Sequence, residues 1–273
     1  MKNILIMMWF TLREALARKV FIFFIVISSL VILGMLLILT SKSTTVIIQT
    51  FGKSGQAIGY TQVIHALELI IVSPLSGLCI LLAIFASSSF VPIMLEKGNI
   101  DLLLSKPVSR IQLLLGKYFG GVLVVFLNII FLIIGVWLLI SIKFSFWDFS
   151  FLWIIVIVTF TFAVLYSLIV LFGVMTQSSI FGMMIAYFIF IILSPLLVLI
   201  KDKFIVFLQN GFLKDIIIGL YYIVPQTAEL MGETVSNLTV GKGIIDFQPI
   251  LTSSAFLIIT LALSVYLFVK KDF

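Results

Sequence analysis

From Val20 to Thr40 the chain reads VFIFFIVISSLVILGMLLILT, without one charge. A helix needs roughly 20 apolar residues to cross a hydrocarbon core about 30 Å thick. This run meets that length, and further apolar runs follow at 69–95, 118–142, 151–175, 180–200 and 250–269. Six runs of this kind predict an all-α integral membrane protein, a six-helix transmembrane bundle forming one domain over 1–273. Composition agrees, because only 10% of the residues are charged and 63% are hydrophobic. A surface so poor in charge must meet lipid rather than water.

Two segments need separate treatment. Signal-peptide cores hold about 7–15 apolar residues, and the Val20–Thr40 run is longer. Ala15-Leu16-Ala17 also precedes that run instead of following it, so an anchor is expected, not a cleaved leader. Residues 203–224 are apolar but carry Asn210, Lys214 and Asp215 in the middle. Charges at mid-bilayer cost several kcal/mol. An amphipathic helix at the interface is the expected form, with a seventh span as the alternative; the outer segment is 201–249.

The charges assign a side to each loop. An even number of spans puts the termini together, with Lys2, Arg13, Arg18, Lys19, Lys97, Lys106, Arg110, Lys117, Lys270 and Lys271 on that side. Those ten face four acids, whereas the other side balances seven against seven. The +6 excess therefore falls on one face, which the positive-inside rule makes cytoplasmic. The basic residues form no long run, so they read as topology signals and not as a nucleic-acid surface.

On that side, Met7 to Lys19 fits an amphipathic interfacial helix with Trp9, Leu12 and Leu16 on one side. Arg13, Glu14 and Arg18 take other faces, and a charged stop before the first span is the alternative. The loop after the second span is EKGNIDLLLSKPVSRIQLLLGKYFGG, from Glu96 to Gly121. Gly98 loosens the preceding helix, and Asn99 is a good N-cap with Asp101 in the first turn. A short helix from Ile100 to about Ser105 follows, with Leu102, Leu103 and Leu104 exposed, until Pro107 stops it. Ser109 to Gln112 then has the S-x-x-Q form of a capping box and opens the third span. Three adjacent leucines exceed what so short an element buries. Such a patch marks either a partner's docking site or a cap folded back on the bundle.

That loop resembles the first cytoplasmic loop of type 2 ABC exporter permeases, above all the branch associated with maturation of multi-copper enzymes such as nitrous-oxide reductase. Glu96, Gly98, Asp101, Leu103, Leu104, Ser105, Pro107, Ser109, Arg110, Gly116 and Lys117 match its pattern. Arg13-Glu14, Arg18-Lys19 and the tail Lys270-Lys271-Asp272-Phe273 fit as well. Gly98-Asn99 departs from a frequent Gly-Thr, a small change since both residues cap helices. The resemblance implies a bacterial or archaeal plasma-membrane protein that pairs with a second permease copy. It implies a cytosolic ABC ATPase dimer carrying the ATP and Mg, with no cofactor on this chain. Asn99 to Ser105 would sit in the ATPase groove as the coupling helix, with Glu96, Gly98, Pro107 and Arg110 completing the docking element and the N-terminal helix a second contact.

Other motifs point nowhere sharper. Phe51-Gly52-Lys53-Ser54 ends like a P-loop, but the required first glycine is Ile47. His65 and Glu68 have a metal-compatible i, i+3 spacing, yet the sequence shows no third ligand nearby, so a polar patch at the outer mouth is expected. Asn128 and Ser87-Ser88-Ser89 are expected to hydrogen-bond between helices. Gly116-x-x-x-Gly120 permits close helix approach, and the 27 phenylalanines are expected to be mostly lipid-facing. No intramembrane carboxylate pair or serine–histidine set suggests catalysis; the alternative to a transporter is an ATP-independent membrane scaffold or enzyme.

Overall fold

The computed structural model describes residues 2–17, 20–40, 60–96, 98–99, 108–201 and 211–271. Among them there is no strand, and the chain is an all-α membrane bundle. The helices are α1 (Lys2–Ala17), α2 (Val20–Thr40), α3 (Tyr60–Ser87), α4 (Phe90–Met94) and α5 (Arg110–Phe144). They continue with α6 (Trp153–Thr176), α7 (Ser179–Leu199), α8 (Gly211–Ile223), α9 (residues 227–239) and α10 (Gln248–Lys270). Among the described residues five helical stretches are long and apolar enough to cross a membrane, or six when α1 and α2 are taken together as one bent span. That pair is bent by 69°, so α1 does not continue the line of α2.

The bundle is built around α6. In its most apolar window 78% of residues are buried, against 22% for α10. Peripheral helices therefore turn much apolar surface outward: Leu30 and Leu37 of α2, Met184 and Ile191 of α7, and Ile258 and Ile259 of α10 are exposed. In water that would drive aggregation; in a bilayer it is the lipid contact. Phenylalanine is not confined to that surface, because Phe24, Phe90, Phe151, Phe162 and Phe268 are fully packed inside.

Helix interruptions have local causes. α3 runs on through Pro74 and ends at Ser87. Ser87 and Ser88 donate to the carbonyls of Ala83 and Phe85, 2.7 and 2.9 Å away on their own helix, not to a neighbour. Asn128 likewise donates to Val124 O of α5 at 3.1 Å. The cross-helix bonds come from other residues. Ser167 meets Thr260 at 2.6 Å, Tyr118 donates to Ala163 O at 2.9 Å, and Tyr187 donates to Leu81 O at 2.8 Å. In α7 a π-helical stretch, Phe188–Leu193, precedes Pro195. Proline lacks an N–H and its ring presses on the carbonyl four residues back, and a widened turn relieves both.

α5 has 35 residues, about 52 Å of helix, and must project well beyond the hydrocarbon layer. α8 has 13 residues, about 20 Å, too short to cross it. The segment 202–210 lies outside the described residues.

Candidate functional site

At the end of the bundle where both chain ends gather, the loop between α4 and α5 is tied down on both sides. Before it, Gly98 takes φ +91°, a left-handed conformation that suits glycine, with open space around it. Asn99 is already helical, and its Nδ2 donates back to Ile93 O of α4 at 3.1 Å. This side-chain bond closes the preceding turn. Glu96 is exposed. After the loop, Ser109 Oγ accepts from Gln112 N at 3.3 Å and Ser109 N donates to Gln112 Oε1 at 3.4 Å, completing the expected capping box. Ile100, Asp101, Leu102, Leu103, Leu104, Ser105 and Pro107 lie outside the described residues, as do Arg18 and the Phe51–Ser54 motif.

Arg110 faces inward to the bundle's own end. Its Nη1 donates to Val269 O at 3.2 Å and to Lys271 O at 2.6 Å, the carbonyls that close α10. A cation there also complements the negative end of the helix dipole. Lys271 in turn donates to Val174 O of α6 at 2.7 Å. The start of α5 is thereby linked through the end of α10 to the central helix.

α1 is the third tie. Its buried face is Met7, Thr11 and Ala15, spaced four residues apart, with Leu12 beside them. Of the three residues that share a side by spacing, Leu12 is buried, while Trp9 and Leu16 are exposed and open to the lipid interface. Small size, not hydropathy, selects the packed side. A Cβ on Gly116 would stand 2.4 Å from Met7 Cβ, and one on Gly120 2.5 Å from Thr11 Cβ. The Gly116-x-x-x-Gly120 seam thus receives α1. Leu12 and Ala15 also share a cluster with Phe90 of α4 and Val124 of α5. α1 consequently touches the helices on both sides of the loop.

A buried ion pair locks this contact. Lys117, only 2% exposed, pairs with Glu14 of α1 and lies over the Phe10 ring, 5.5 Å from its centroid. Lys117 is therefore not the surface topology charge expected from sequence. Arg13 points outward over Trp9, 5.5 Å from its ring centroid. Breaking a buried pair strands one charge, at about 3 kcal/mol or more. Lys117→Met leaves Glu14, whose side chain is 19% exposed, so it should cost only part of that, about 1–2 kcal/mol, and Glu14→Gln added to it should recover most of the loss. Unfolding in detergent, followed by circular dichroism, reads both variants.

The opposite end carries its own polar clamp. Lys201 donates to the Tyr221 hydroxyl at 2.7 Å, which donates to Glu229 Oε1 at 2.5 Å. Burial opposes the charged Lys201 amine, but its bond to Tyr221 and the Glu229 charge outweigh that, holding its pKa above the usual lysine value. Burial, with the bond to Glu229, pushes the Tyr221 hydroxyl up to about 12. Both groups hold their protons more tightly in the folded state. Their contribution is full below the unfolded values near 10 and is lost as pH rises beyond them. The melting temperature should fall between about pH 10 and 12, and Tyr221→Phe should flatten that decline.

The family model for ABC-2 family transporter proteins matches residues 12–273. The chain belongs to that family. Comparison with curated proteins finds no match. As an ABC-2 protein the chain is a permease subunit, a multi-pass membrane component of a transporter whose family works with a partner ATPase. In this permease the described residues at the terminal end form a braced mount: α4 enters the loop, α5 leaves it, and α1, α10 and α6 are fastened to them.

Proposed function

We propose that this permease is the membrane half of an ABC exporter and that its 96–107 loop is the coupling element for a separate cytosolic ATPase. The observation that carries the reading is the bracing of that loop. A displacement applied between Gly98 and Ser109 meets α4 and α5 directly. It reaches α10 through Arg110 and α6 through Lys271. A loop meant only to join two spans needs none of these ties.

The whole chain acts as one permease unit in the plasma membrane, with both termini cytoplasmic. It works with a second permease copy so that each ATPase protomer has its own loop. ATP binding closes the ATPase dimer, the two loops are pushed together, and access switches across the membrane. ATP and Mg sit on the partner. α1 is a second contact, with Arg13 exposed on its surface. The loop motif supports the branch associated with multi-copper-enzyme maturation.

The test is co-expression of the permease with the candidate ABC ATPase subunits of the same genome. Stable co-purification through size exclusion supports the reading. Complete separation at micromolar concentrations rejects it in favour of an ATP-independent membrane protein.

A further inference from the structure

At the end opposite the chain termini, the fold assembles a group that neither the family nor the transport reading uses. We propose that His65, Glu68 and Asp148 form a binding site for a divalent transition-metal ion of the zinc type. The three donor atoms lie within 4.8 Å of one another. His65 and Glu68 stand one turn apart near the start of α3, and Nδ1 to Oε2 is 3.1 Å. Two donors held about 2.1 Å from one ion are roughly 3.0–3.4 Å apart, so this pair already has coordination spacing.

The third ligand comes from the turn between α5 and α6. Trp137 Nε1 donates to Asp148 O at 2.7 Å, and Asp148 Oδ1 accepts from Ser150 N at 2.8 Å. These bonds fix the carboxylate and commit one oxygen. The other, Oδ2, is buried and has no hydrogen-bond partner among the described residues. A Cβ on Gly241 would approach it to 3.7 Å, so the chain wall stands close behind. A buried carboxylate oxygen without a donor is costly, and a cation within reach removes the cost.

Charge and burial argue the same way. Glu68 is 2% exposed, and the His65 ring is set edge-on against Phe146, with centroids 5.5 Å apart. Two carboxylates and one imidazole in such a setting offer three donors, and a dication offsets the charge the carboxylates take on when they ligate it. One imidazole nitrogen with two carboxylate oxygens suits zinc, cobalt or manganese. Magnesium and calcium favour all-oxygen shells. Three protein ligands leave a position for water. A bound ion would staple the entry of α3 to the α5–α6 turn, cross-linking two spans at their mouth.

The test uses the full-length permease purified in detergent without metal, titrated with cobalt(II) and then zinc(II). A saturable visible cobalt spectrum at one ion per chain, displaced by zinc, is expected. Altering groups that merely orient a ligand already weakens metal sites about 10–100-fold. His65→Ala and the near-isosteric Asp148→Asn should therefore weaken cobalt binding at least 10-fold. Zinc should also raise the melting temperature of the wild type but not of Asp148→Asn. Asp148→Asn melting like the wild type in EDTA confirms that it folds. Absent cobalt saturation, or equal binding by wild type and Asp148→Asn, overturns the site and leaves a hydrogen-bonded trio sharing protons.

Discussion

Leu103→Asp should abolish co-purification of the permease with its ATPase and leave the permease itself folded. The expected effect is large because a docked leucine in an apolar groove is dry, and an aspartate there is an unpaired buried charge. An anchor residue of an interface costs 2 kcal/mol or more on truncation, and a carboxylate adds desolvation. The complex should weaken at least about 100-fold, or about 2.7 kcal/mol. Leu103→Ile, which keeps volume and polarity, should bind within a few fold of the wild type. Circular dichroism and melting of the isolated permease should match for all three, since the proposed role of the leucine is in the partner contact. Equal capture of the ATPase by Leu103→Asp would mean that the three leucines cap the bundle instead.

The second large effect concerns the α1–α5 seam. Gly116→Leu combined with Gly120→Leu should push α1 off α5. At both positions even the first carbon of a side chain falls within 2.5 Å of another Cβ, so backbones must move. Overpacking of this kind costs about 1–3 kcal/mol per site, against a gain of at most about 1 kcal/mol from replacing a helical glycine. Overpacking wins, and the melting temperature should drop by several degrees. Gly77→Leu is the control, because nothing lies within 4 Å of a Cβ there. Thr11, 1% exposed under the seam, supplies a second readout. A Thr11→Cys reporter should resist maleimide in the parent and react in the double variant. Protection in both would show that α1 stays docked despite the leucines.

The sequence was most legible where structure is decided locally or by solvent. The uncharged run Val20–Thr40 is a helix over those same residues, since hydropathy depends on composition alone. Ser109 and Gln112 form their capping box because both partners lie within one turn. Gly98 takes a left-handed φ for its own backbone reasons.

Long-range pairing escaped that reading. Lys117 reads as one more loop cation because its partner Glu14 is 103 residues away. Arg110 reads from sequence as a loop cation and docking residue, and its bonds to the α10 carbonyls 159 and 161 residues on are invisible there. Asp148 joins His65 and Glu68 from another helix connection, so the i, i+3 pair looked one ligand short. On α1 the side packed against α5 is set by its fit to a neighbour far along the chain. Trp9 and Leu16 are the larger apolar residues, but shape against Gly116 and Gly120 chose Met7, Thr11 and Ala15. A small-residue seam in lipid outweighs hydropathy because lipid already satisfies the apolar side.

The central claim is that force from ATP turnover enters this permease through the 96–107 loop. It is tested most directly by the ATP hydrolysis rate of the co-purifying ABC ATPase in lipid nanodiscs, measured alone, with the wild-type permease, and with Leu103→Asp. The wild type should stimulate hydrolysis several-fold, and the aspartate should return it to the isolated rate. The same rate in all three preparations would contradict that claim.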